Sequence, residues 1–112
     1  MDDSILKTTK SKVSVMNDDE NFDSDIIDYI NSAFAELTQL GVGPMAGFRI
    51  TGSEETWSDY DVDIVQLEMA KQYVFLYVRL IFDAPTNSTV LNYMKAEKEK
   101  LEWRLKVQAE EV

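Results

Sequence analysis

Nine of the ten residues from Tyr73 to Phe82 are apolar, and only Arg79 interrupts the run. A helix with one apolar stripe packs against one neighbour, whereas a helix apolar nearly all round has to be covered on every side. The chain has 112 residues and a formal net charge of −10, so it has little material for that task. The run therefore requires either a tightly wrapped central helix or a surface that other subunits cover. Its aromatic and β-branched residues would also suit a strand. Length decides against that: about twenty residues from Val62 to Phe82 lack an internal break, and strands usually hold 4–8.

The helix-like pattern extends to the rest of the chain. A first helix is expected from about Asp3 to Val15, capped by Asp2, Asp3 or Ser4, with lysines toward its end and a thin apolar content that predicts loose docking. A second runs from Asp23 to Leu40, where Ile26, Ile30, Ala33, Leu37 and Leu40 follow a three-and-four spacing. Gly41-Val42-Gly43-Pro44 stops it, with glycine for a left-handed cap and proline beyond. Met45 to Asp63 is a long connection carrying Phe48, Ile50, Trp57 and Tyr60, residues that fold back over a core or meet a partner. Asp61 or Asp63 starts the third helix, and Pro85 ends it near Asp83. The fourth begins at a Thr86 or Ser88 cap and runs to about Ala109. Val90, Leu91, Met94, Leu101 and Leu105 mark its core stripe, and Glu102 pairs favourably with Lys106 four residues on. Tyr93, Trp103 and Val107 lie off that stripe and form a smaller apolar face, either exposed core edge or a contact with another molecule. The expected fold is all-α, a single domain of about four helices with a long loop between the second and third.

Composition removes many functions. The chain has no cysteine and no histidine, so Cys-based zinc sites, disulfides, Cys nucleophiles and His general bases are absent. Asp19-Glu20-Asn21-Phe22-Asp23-Ser24 begins like a calcium loop but puts Ser24 at the obligatory glycine and Ile30 at the closing glutamate. Asp59-Tyr60-Asp61-Val62-Asp63 fails at the same two positions, with Ile64 and Ala70. There is no phosphate-binding glycine loop. No metal, no cofactor and no catalytic residue is expected, and the chain does not read as an enzyme. The acidic N-terminus is unlike a secretory leader, and the apolar run is shorter than the roughly 20 residues of a membrane span; a protein made and kept in a cytoplasm is the expectation.

Twenty-one acids against eleven bases argue against binding nucleic acid through its backbone. The acids cluster: Asp18, Asp19, Glu20, Asp23, Asp25 and Asp28 in one stretch, and Glu54, Glu55, Asp59, Asp61 and Asp63 in another. They read as solvated loops and charged helix starts, or as a surface that repels DNA or attracts a basic partner. Arg79 either packs its stem while its head reaches water, or joins a salt bridge within the fold or across a subunit boundary.

Three stretches together resemble the head–tail connector family of long-tailed bacteriophages: Ile30-Asn31-Ser32-Ala33 through Leu40-Gly41-Val42-Gly43-Pro44, then Tyr73 through Asp83-Ala84-Pro85-Thr86, then Leu101-Glu102-Trp103-Arg104-Leu105. Their order and spacing fit that family across nearly the whole chain. The resemblance implies a structural virion protein at the neck. Its subunits would form a homo-oligomeric ring below the portal protein, following the portal's twelve-fold symmetry as a dodecamer. That ring would extend the DNA channel and receive a tail or neck protein, and DNA would pass without specific binding.

A ring covers apolar surface through two different faces of each subunit. Because aromatics and Arg dominate interface energetics, Trp57, Tyr60, Tyr73, Tyr77, Arg79, Trp103 and Arg104 are the subunit-interface candidates, with core packing as the alternative for most. Val107, Gln108 and Val112 mark a C-terminal segment that could dock on the portal or a neighbour and order on binding. Asp18, Asp19, Glu20, Glu54, Glu55 and Asp59 are candidates for the lumen wall or solvent. The competing reading is a small acidic regulatory protein that binds a basic partner or mimics DNA, with its acids spread over one exposed face.

Overall fold

The computed structural model describes residues 3–16 and 18–110. Four helices form an all-α bundle: α1 (Ile5–Lys12), α2 (Asp23–Gln39), α3 (Ile64–Phe82) and α4 (Ser88–Glu110). The apolar run lies in α3, which packs against α1, α2 and α4. Tyr73, Val74 and Val78 are buried, Phe75, Leu76, Tyr77, Leu80 and Phe82 are half-buried, and Ile81 is left half exposed. The chain thus wraps its most apolar helix largely by itself.

Each boundary has a local cause. Ser4 caps α1 by accepting from the Lys7 N–H at 3.3 Å. Gly41 adopts φ +90° after α2; the Val42 N–H then returns to Leu37 O at 2.9 Å and the Gly41 N–H to Thr38 O at 3.0 Å, the paired bonds of a Schellman ending. Asp63 caps α3 through the Gln66 N–H at 3.0 Å. At α4 the cap is Asn87, not Thr86 or Ser88: its side chain accepts from the Thr89 and Val90 N–H groups at 2.9 and 3.1 Å. An amide oxygen reaches two backbone donors there, which neither hydroxyl does.

The first helix departs from expectation. It ends at Lys12 rather than Val15, and it is firmly docked. Ile5, Leu6 and Val13 are core residues, and Thr9 and Lys10 are buried too. Few apolar side chains suffice because the backbone and polar groups are also engaged. Ile5 N–H donates to Glu55 O at 3.1 Å and Trp57 N–H to Asp3 O at 3.0 Å, while the Trp57 indole N–H donates to Thr8 Oγ1 at 2.9 Å. The Lys10 ammonium meets Asp23 at 2.7 Å and Asp19 O at 2.8 Å, tying the α1–α2 connection down.

The long connection folds back over the core. Phe34 of α2 is its hub, with Phe48, Tyr60 and Trp57 rings at 5.0, 4.9 and 6.0 Å. Ile50 is fully buried and held by both ends of the Asn31 amide. Within the loop, the Glu55 carboxylate gathers the Thr51 N–H and hydroxyl, each at 2.8 Å, and the Gly52 N–H at 3.3 Å.

Candidate interaction surfaces

Helix α4 presents two faces. Met94, Leu101 and Leu105 are buried against α3. On the other side Tyr93, Ala96, Lys100, Trp103 and Val107 recur at spacings of three and four, which aligns them along one stripe. Tyr93 is 65% exposed and Trp103 67%, far above what a tryptophan in a closed subunit needs. Lys100 and Arg104 flank Trp103 and are exposed as well. A shallow groove of about 450 Å³ separates Tyr93, Glu97 and Arg104 from Glu68, Gln72 and Leu76 of α3. Further apolar exposure sits at the start of α3, at Ile64 and Val65, near its end, at Ile81, and in the first turn of α4, at Val90.

The outer face of α2 is different in kind. With residues 46–49 it walls a groove of about 620 Å³, and its side contributes Asp28, Asn31, Ser32, Ala35, Thr38 and Gln39. These are short or polar side chains. Helix α2 carries Asp23, Asp25, Asp28 and Glu36 and no base. Since α3 packs against both α2 and α4, the acidic, small-residue face and the aromatic, basic face belong to the two helices that flank the central one.

The residues singled out from sequence divide accordingly. Trp57, Tyr60 and Tyr73 lie in the subunit's own core; their rings are already covered, and α1, Phe34 and α4 account for their partners. Tyr77 is half-buried beside Tyr73, ring centres 6.0 Å apart. Arg79 is half-buried, and its Nε is enclosed without a hydrogen-bond partner among the described residues. Only Trp103 and Arg104 of the seven are exposed. Val107 and Gln108 continue α4 as half-buried helical residues rather than a free tail, and Val112 lies outside the described residues. Among the acids, Asp18, Glu20, Glu54 and Asp59 are exposed. Several hold the backbone: Asp19 accepts from the Asn21 N–H at 3.1 Å, Asp59 from the Thr56 N–H at 2.9 Å, and Glu55 closes its own turn.

One polar cluster is half-buried between α3 and α4. The Tyr73 hydroxyl donates to Glu102 Oε2 at 2.7 Å, and the Lys98 ammonium donates to the same oxygen at 2.9 Å. This replaces the expected Glu102–Lys106 pairing, because Tyr73 fixes the carboxylate toward Lys98. Desolvation pushes the Glu102 pKa up, and the bonds from Lys98 and Tyr73 outweigh it and hold the carboxyl below its usual range. Burial and that carboxylate push the Tyr73 phenol up. The cluster joins α3 to α4. Among the described residues no group of three acids is placed to hold a metal, and no described helix is long and apolar enough to cross a membrane.

The α2 groove escaped sequence reading because Ser32 and Ala35 carry no chemical signature. The α4 face was visible as the off-stripe residues Tyr93, Trp103 and Val107. A family model described as phage connector protein matches residues 5–112. No curated protein and no solved structure gives a significant match.

Proposed function

We propose that this chain, which belongs to the phage connector proteins, is a head–tail connector subunit that closes into a ring below the portal, extends the DNA channel and receives the tail or a neck protein. The observation that carries this reading is the family match over residues 5–112, nearly the whole chain. The surface supports it. A ring needs two unlike faces per subunit, and α2 and α4 supply an unlike pair. The excess of acids suits a channel wall along which DNA moves without sticking, since phosphate binding needs bases. Asp18, Glu20, Glu54 and Asp59 are the exposed acids to look for there, and a basic lumen would contradict the assignment.

The acidic-regulator reading has less behind it. A DNA mimic presents its acids to a partner, whereas Glu55, Asp59 and Asp63 bind backbone N–H groups of their own turns and helix starts. The test is native mass across a concentration series, by light scattering after gel filtration, together with binding to purified portal rings. A ring near twelve subunits, or stoichiometric capture by the portal, is expected. A monomer that ignores portal rings and binds a basic protein instead would overturn the reading.

A further inference from the structure

We propose that the ring contact is made by the exposed α4 stripe of one subunit, with Trp103 inserted into the α2 groove of the next; this rests on the connector reading above. The occupant is thus a second copy of this chain, and three features select it.

The first is shape. Trp103 stands out from α4 with 67% of its surface exposed, and the α2 groove of about 620 Å³ is walled by Ser32 and Ala35, side chains too short to fill it. The second is charge. Lys100 and Arg104 straddle Trp103, and Asp25 and Asp28 lie along the exposed side of α2. Arg49 on the opposite groove wall faces the reverse need, which Glu99, one turn before Trp103, can meet. The third is direction. Helix α2 carries acids and no base, which favours the Lys100–Arg104 face of another subunit over a second α2. A contact between unlike faces on helices that flank α3 propagates head to tail from subunit to subunit, the kind of contact from which a ring is built when its rotation closes.

Trp103 should act as the contact's anchor, since a tryptophan flanked by Arg and seated in a pocket is the usual centre of interface energy. Trp103→Ala should raise the concentration for half-assembly by about thirtyfold or more. Ala35→Trp, which fills the groove from within, should do the same. Both positions are exposed, so below the assembling concentration circular dichroism and the unfolding midpoint should stay at wild-type values.

The chain has no cysteine, so single thiols report the pairing directly. Ala35→Cys and Lys100→Cys proteins are mixed at assembling concentration with a short bismaleimide. The expected product is the mixed A35C–K100C dimer, with neither variant crosslinking to itself. Self-crosslinking of K100C would mean that α4 pairs with α4, and would overturn the proposal. Wild-type rings that form without the mixed product, or that tolerate Trp103→Ala, would overturn this contact and leave the connector reading standing. A wild-type chain that neither assembles nor binds portal rings would defeat both.

Discussion

The Asn31 side chain pairs with the backbone of Ile50 as a neighbouring strand would: its Nδ2 donates to Ile50 O at 2.9 Å and its Oδ1 accepts the Ile50 N–H at 2.7 Å. Ile50 is fully buried, so no water replaces either bond. One amide on α2 thereby fixes a loop that has no strand or helix of its own at that point.

Asn31→Leu should leave both Ile50 backbone groups unmet and cost about 2–3 kcal/mol. Asn31→Asp keeps an acceptor for the N–H but sets a carboxylate oxygen against the Ile50 carbonyl where Nδ2 donated, so it too should destabilise. Urea unfolding of the two variants checks both. Equal midpoints for Asn31→Leu and wild type would mean the loop finds another anchor.

Gly43 and Gly52 should respond oppositely to alanine. Gly43 has φ +85°, and a Cβ there would come within 2.8 Å of the Tyr60 ring. Gly43→Ala should cost about 2 kcal/mol from backbone strain, with ring displacement added. Gly52 has open space around its Cβ position, and Gly52→Ala should be neutral or slightly stabilising. Thermal unfolding of the pair separates the two cases.

Thr8 and Trp57 are joined across 49 residues of sequence, and that bond is one of the contacts that dock α1. Thr8→Val is close in shape but leaves the buried indole N–H without its acceptor, at a cost of about 1–3 kcal/mol. Thr8→Ser should recover most of it. If serine and valine unfold at the same urea concentration, the hydroxyl contributes nothing, and α1 is held by its apolar side chains, Lys10 and the backbone bonds to the loop.

These cases show what the chain discloses in advance. Periodicity placed α2, because Ile26 to Leu37 repeat at helical spacing, whereas α3 was placed by the unbroken length of its segment, and Gly41 and Pro85 punctuate the two. It underrated α1, whose docking rests on Thr8, Lys10 and backbone bonds to the loop, contacts with no local pattern. For the same reason Trp57, Tyr60 and Tyr73 looked available to a partner: an aromatic residue reads alike in core and interface until its neighbours are known. Trp103 differed in lying off its helix's core stripe, and its exposure agrees with that placement. The α2 groove is formed by a helix and a distant loop, and no single segment encodes it.

The Tyr73–Glu102–Lys98 cluster should shape stability at both ends of the pH range. The Glu102 pKa is depressed in the fold, so its contribution is present above the unfolded value of about 4.3 and is lost as pH falls through the folded one. The Tyr73 pKa is raised, so its contribution is present below the unfolded value of about 10 and is lost as pH rises through the folded one. Glu102→Gln should therefore flatten the acid limb of a plot of urea midpoint against pH, in part only, because the Glu55 carboxyl is also held low. Tyr73→Phe should flatten the alkaline limb, again in part, because burial likewise raises Tyr60. Near neutral pH Tyr73→Phe should cost about 1–2 kcal/mol for the lost bond to a charged acceptor. An alkaline limb unchanged in Tyr73→Phe would show that ionisation of this phenol is not coupled to unfolding and would overturn the prediction.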